Sequence, residues 1–154
     1  MTELKINFER LWQELEELSR IGQDPRGGIS RPSFSLADLE ARKWLREKIE
    51  AAGLTYRQDS AGNIFGRLAG KTPQVVMAGS HLDTVINGGR FDGSVGVLSA
   101  LECLRRIKEE NLELYRTLEV ASFTDEEGNL VGDFLGSRAF TGQLKEEQLK
   151  NART

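Results

Sequence analysis

The chain has a single histidine, His81, and the carboxylates that follow it are spaced as metal chemistry would need them. Asp83 comes two residues later, near enough for its carboxylate to reach the second imidazole nitrogen and fix the tautomer that binds a metal ion. Asp92 lies within Gly88-Gly89-Arg90-Phe91-Asp92-Gly93, where the glycines let the backbone approach closely and leave the carboxylate projecting just ahead of an expected helix. Its two oxygens can bridge a pair of cations. The third group is Asp125-Glu126-Glu127-Gly128, in which consecutive carboxylates at a strand end point in different directions, so that one can ligate while its neighbour handles protons. Taken singly, each group has an ordinary explanation: a hydrogen-bonded histidine, an Asp-Gly turn, a solvated acidic loop. Taken together, each just beyond an expected buried strand or at a helix entrance, they make a donor set suited to zinc, manganese or a similar divalent ion.

These groups can act together only if the chain folds to bring them to one rim. Phe8, Leu11, Trp12, Leu15 and Leu18 recur at helical spacing and predict an amphipathic helix over about Glu3 to Ile21. Gly22 to Pro32 is a loop, and a second helix runs from a cap at Ser35, with Asp38 three residues on, to Gly53, its inner stripe being Leu36, Leu39, Leu45 and Ile49. Leu54 to Gln58 and Asn63 to Leu68 read as a hairpin turning at Ser60-Ala61-Gly62. Gln74 to Ser80, nearly uncharged and without alternation, has the pattern of a central strand covered on both faces. His81 to Gly93 is an irregular connection, Ser94 to about Glu110 a helix, Thr117 to Phe123 another buried strand, and Leu144 to Thr154 a charged helix or frayed tail. The order implies an α/β sandwich with its polar residues gathered at the carboxyl ends of adjacent strands, the place where ligands of open α/β sheets bind.

Bulk properties narrow the function classes. With 154 residues, 38% hydrophobic and 29% charged, the chain is composed like one ordinary globular domain. Its net charge of -3, with 21 basic and 24 acidic residues intermixed, gives no electrostatic footprint for nucleic acid or an anionic membrane. The charged N-terminal region and the lack of a long apolar stretch make the cytoplasm the expected location. Cys103, the single cysteine, rules out an internal disulfide and is expected as a small buried residue on the inner face of its helix.

The ordered combination of motifs resembles the M20-type amidohydrolases, which include N-carbamoyl-L-amino-acid hydrolase, allantoate amidohydrolase and β-ureidopropionase. The resemblance runs from Gly28-Ile29-Ser30-Arg31 through Ala51-Ala52-Gly53-Leu54, Asp59-Ser60-Ala61-Gly62-Asn63-Ile64-Phe65-Gly66-Arg67 and Gly79-Ser80-His81-Leu82-Asp83-Thr84-Val85. It continues to Gly88-Gly89-Arg90-Phe91-Asp92-Gly93, Asp125-Glu126-Glu127-Gly128 and Leu135-Gly136-Ser137-Arg138-Ala139. What it implies for the fold is a partial zinc-peptidase-like α/β sandwich with a mixed, mostly parallel sheet flanked by helices. For the site it implies two divalent ions, zinc or manganese, with His81 on one, Asp92 bridging both and Glu127 on the second, Asp83 orienting His81, and Glu126 as general base. The implied reaction is hydrolysis of a linear C–N (ureido) bond in a small molecule such as an N-carbamoyl amino acid or allantoate.

Two features depart from the pattern. Asn129-Leu130-Val131-Gly132-Asp133 stands where the family has a small residue, Arg and Phe, one residue longer before Leu135. The resemblance also implies that residues 1–154 are the N-terminal segment of the metal-binding catalytic domain, with two further histidine ligands, the lid or dimerisation domain and the C-terminal catalytic half lying outside them. Metal binding by this chain alone is then expected to be weak or partial. Three readings stay open: an incomplete or inactive hydrolase, one half of a split enzyme completed by a complementary C-terminal chain, and a non-catalytic relic module. An exposed sheet edge prone to self-association is expected in each.

Overall fold

The computed structural model describes residues 4–130 and 132–150. Helix α1 spans Phe8–Arg20, begun by the Asn7 side chain, which accepts from the Arg10 amide at 3.0 Å. The expected start at Glu3 lies outside the described residues. Leu11, Leu15 and Leu18 form its buried stripe; Phe8 and Trp12, expected on the same stripe, are exposed and stack on each other instead, with Trp12 also against Phe91. Helix α2 spans Leu36–Ala51 and is capped by Ser35, whose hydroxyl accepts from the Asp38 amide, while the Asp38 carboxylate reaches back to the Phe34 amide. Its inner stripe is Asp38, Ala41, Leu45 and Ile49. Leu36 and Leu39, expected inside, are 87% and 50% exposed, because the helix turns the row containing Ala41 and Leu45 inward and leaves the first-turn leucines outside it.

The hairpin forms as expected, with β1 at Thr55–Gln58 and β2 at Ile64–Leu68 paired antiparallel. Gly62 takes φ +86° in its turn, a value readily open to glycine. Strand β3 spans Thr72–His81, α3 Ser94–Glu109 and β4 Arg116–Phe123; two short helices, α4 at Leu135–Phe140 and α5 at Glu146–Lys150, follow. Residues 151–154 of the expected tail lie outside the described residues.

The sheet runs β1-β2-β4-β3 and is mixed, flanked by helices, as expected. The balance of directions is the reverse of the expectation, however: β1-β2 and β2-β4 are antiparallel and only β3-β4 is parallel. A hairpin whose second strand is laid antiparallel on β4 contributes two such pairings at once, whereas one α3 crossover contributes one parallel pair. Strand β3 itself is not central. Among the described residues it pairs with β4 alone and forms the sheet edge, with Val75 41% and Val76 48% exposed. An uncharged run shows that a strand can be covered on both sides but cannot specify which neighbour covers it.

The core lies between the sheet and the helices, where Leu18, Leu45, Ile49, Ile64, Val97, Leu98, Leu101 and Val120 are almost fully buried. Burial of each such side chain is worth about 1.5–3 kcal/mol. The α1-α3 seam is polar as well: Arg10 meets Glu102 at 2.7 Å and Arg105 meets Glu14 at 2.6 Å, both acids being buried. Inward-facing Glu102 and Arg105 rotate Cys103 outward, so the cysteine is exposed rather than buried. No helix among the described residues is long and apolar enough to cross a membrane.

Candidate metal centre

The parallel register of β3 on β4 sets His81 beside Phe123, so the two strands finish at one rim. The chain leaving β3 carries His81 and Asp83; the chain leaving β4 carries Asp125, Glu126 and Glu127; Asp92 arrives at the same rim from the turn that opens α3. Ligand atoms of His81, Asp92 and Glu127 all lie within 4.8 Å of one another. His81 Nε2 stands 3.8 Å from a Glu127 carboxylate oxygen. One imidazole from a strand end and two carboxylates from two loops are thus brought together, a set whose hard and borderline donors suit zinc or manganese.

The imidazole is oriented differently from the expected way. Its Nδ1 lies 3.0 Å from the main-chain oxygen of Asp83, whereas the Asp83 carboxylate is 3.8 Å away. The backbone carbonyl can only accept, so Nδ1 donates its N–H to it and Nε2 is left to ligate. The Asp83 side chain does something else: one oxygen accepts from the Glu127 amide at 3.1 Å and the other is buried without a hydrogen-bond partner. A buried carboxylate oxygen with no donor is costly; the charge of buried Arg31 offsets part of that cost from a distance, and a cation at this rim would offset more.

The three consecutive acids do point apart. Asp125, buried and at φ +53°, accepts from the amides of Asn129 and Leu130 and so holds the loop. Glu126 is held at both oxygens by Ser137, through its amide at 2.9 Å and its hydroxyl at 2.7 Å, and does not join the three-residue cluster. Glu127 faces His81. Despite the shortened Asn129–Asp133 stretch, in which Val131 lies outside the described residues, the loop returns to the strand end: amides of Phe134, Leu135 and Gly136 donate to the carbonyls of Glu126, Asp125 and Thr124.

Supporting residues that the sequence pattern did not single out as functional surround this rim. Asn63, fully buried at the start of the hairpin's second strand, accepts from the Thr124 amide and donates to Asp59 and to the Gly136 carbonyl. Arg42 on α2 joins Asp38, the Gly62 carbonyl and the Thr124 hydroxyl. Both brace the end of β4. The clue available in sequence was the Asp59–Arg67 motif, which is longer than a turn alone requires.

Burial pushes the carboxyls of Asp83 and Glu127 above the usual carboxylate range; for Glu127 the neighbouring Asp92 and Asp83 charges add to the rise, against a pull downward from His81. Both groups hold a proton more tightly folded than unfolded. Their contribution to stability is therefore complete below the ordinary carboxylate pKa, about 4, and is lost as pH rises through the raised folded-state values. In chelator, the melting temperature of the unmodified chain relative to Asp83→Asn/Glu127→Gln is expected to fall as pH goes from about 4 to about 7, and zinc should restore it. A difference constant across that range would contradict the crowding inferred at the rim.

An α/β layer here collects an imidazole and carboxylates at neighbouring strand ends, a donor set that could hold a divalent cation. The model for peptidase family M28 matches residues 63–154, more than half of the chain, and the chain belongs to that family. The matching description is M28 rather than M20, but the relatives are the amidohydrolases that the motifs resemble. The chain is 43% identical over 148 residues to the N-carbamoyl-L-amino acid amidohydrolase of Geobacillus stearothermophilus, covering 94% of this chain and 36% of that protein. It is 38% identical over 146 residues to the allantoate amidohydrolase of Escherichia coli (strain K12), covering 90% of this chain and 36% of the relative. Among solved structures, a hydantoinase/carbamoylase family amidase from Burkholderia ambifaria superposes with a TM-score of 0.92 at 38% identity, over 97% of this chain and 37% of the other. The chain thus spans a little over a third of the length of these relatives.

Proposed function

We propose that the chain carries the N-terminal share of the metal site of an amidohydrolase that cleaves a linear C–N (ureido) bond in an N-carbamoyl amino acid or allantoate. The observation that carries this reading is the convergence of His81, Asp92 and Glu127 within 4.8 Å. In this reading His81, Asp92 and Glu127 would hold two divalent ions, zinc or manganese. Such ions would supply Lewis acidity toward the scissile carbonyl and a lowered pKa for water. The main-chain oxygen of Asp83 keeps the imidazole in the ligating tautomer, and the Asp83 carboxylate steadies Glu127 through its amide. Glu126 takes the proton from water and returns it to the leaving nitrogen; Ser137 holds that carboxylate at both oxygens and sets where it stands.

One histidine cannot furnish a closed ligand set for two ions, so full activity in this reading needs residues beyond these 154. The test is complementation. The chain is co-expressed with the portion of a full-length relative that follows the matched region, and hydrolysis of N-carbamoyl amino acids and allantoate is followed together with bound metal. Turnover and about two metal ions per complex are expected from the pair, with neither from the pair carrying Asp92→Asn. Turnover that survives Asp92→Asn, or a complex that forms but binds no metal, would defeat the reading.

A further inference from the structure

Arg31 is one of the most deeply buried side chains of the molecule, 1% exposed, and no carboxylate forms an ion pair with it among the described residues. Its guanidinium is spent on neutral oxygens. Nε donates to the Leu82 carbonyl at 2.7 Å, Nη1 to the carbonyls of Leu18 and Ile21 at 3.0 and 2.9 Å, and Nη2 reaches the Ser94 hydroxyl at 3.4 Å. The main chain of the same residue is stitched to the same loop, Arg31 N to Thr84 Oγ1 and Thr84 N to Arg31 O, each at 2.9 Å.

Burying a cation with no carboxylate in direct contact is costly, and burial pulls this guanidinium down to about 10 although the charges of Asp38 and Asp83 pull the other way. An apolar side chain of similar length would fill the space at lower cost, so stability alone is a poor reason for an arginine here. What an arginine supplies is a rigid planar fork that binds in three directions at once, which neither lysine nor methionine can do. The three directions are informative. Leu82 lies between His81 and Asp83. Ser94 is the first residue of α3, two past Asp92, and its amide donates to the Asp92 carbonyl at 2.6 Å. Leu18 and Ile21 present the carbonyl end of α1, where the helix dipole favours a cation and gives the fork a fixed base.

We propose that Arg31 is a positioning residue for the metal centre, fixing the separation between His81 and Asp92 by tying the loop after β3 and the start of α3 to the end of α1. This rests on the reading of His81, Asp92 and Glu127 as metal ligands, and the experiment separates the two. Zinc titration and peptide-level hydrogen exchange are run on the unmodified chain, Arg31→Met, Arg31→Lys and Leu45→Ala, the last a core truncation on α2 away from the rim. Arg31→Met is expected to lower zinc affinity by about 10-fold to 100-fold, with Arg31→Lys, which folds if the methionine variant does not, falling between it and the unmodified chain. Faster exchange in the arginine variants should be concentrated in 82–84, 93–96 and 18–22. Leu45→Ala should lose stability with zinc affinity within about twofold, its exchange spread over α2 and the sheet.

Arginine variants whose zinc affinity equals that of the unmodified chain, or whose exchange spreads as in Leu45→Ala, would overturn the role of Arg31. If the unmodified chain takes up no zinc, the ligand reading fails, and the exchange pattern still decides whether Arg31 fixes the two segments.

Discussion

Replacing Asp92 by asparagine is expected to lower zinc or manganese affinity by at least about 100-fold, a loss of about 2.7 kcal/mol or more, and to leave the metal-free chain as stable as before or more so. Asp92 is exposed, so asparagine leaves no cavity and no buried orphan. Its charge also opposes that of Glu127, raising the latter's pKa, and removing it relieves the repulsion. The side chain is then worth little to the fold and much to a cation that needs hard anionic oxygens. Glu127→Gln should behave in the same way, and the two changes together should cost less than their sum because either alone already opens the site. Calorimetric titration and thermal melts in chelator measure the two quantities separately. Unchanged affinity in both variants would mean that any bound cation sits elsewhere, and the centre assigned to this rim would be lost with it.

Gly93→Ala should unfold the rim from the other side. Gly93 stands at φ +63° immediately before α3, where any residue with a Cβ is strained. An added Cβ would come within 2.5 Å of the His81 carbonyl and 2.6 Å of its ring. Backbone strain costs about 1–2 kcal/mol and the clash about 1–3 more, and the cheapest relief is to push the imidazole away from Asp92. We expect a stability loss of about 2–5 kcal/mol on these grounds together with loss of measurable zinc binding. Gly89→Ala is the control: it lies in the same loop, at a φ that side chains tolerate, with nothing near its Cβ. Urea denaturation and zinc titration of both variants decide the matter, and a Gly93→Ala chain that binds zinc normally would show that His81 is not confined as the structure has it.

What could be read from the sequence followed the range of the interactions involved. Local signals held: Ser35 and Gly53 bracket α2, Gly62 turns the hairpin, and strands end where the chain changes to His81 and to Thr124. The three residues that converge were legible because each follows a strand or precedes a helix, positions visible in one dimension. Features made by distant pairings were not. Arg31, Asn63 and Arg42 each reach at least one partner 51 to 82 residues away in the chain, and nothing near them in sequence reveals those distant partners. The Asp83 carboxylate was expected on the imidazole, but a two-residue spacing also lets the main-chain oxygen reach it, and the oxygen is closer. Amphipathic periodicity likewise gave the right helices with the wrong edges to their stripes, at Leu36, Leu39 and Trp12, since the angular position of a stripe depends on what it meets.

Among the described residues, the strand that ends in His81 is also one of the two edge strands of the sheet. Its side away from β4 carries backbone donors and acceptors along an apolar stretch, and a polypeptide that hydrogen-bonded there would restrain His81 from behind while a cation held as proposed would restrain it from in front. Two ligands that order the same residue in the same position would reinforce one another, each raising the other's affinity by the same factor. Zinc would then act as an adhesive for the edge, and a strand laid along the edge as a clasp on the zinc.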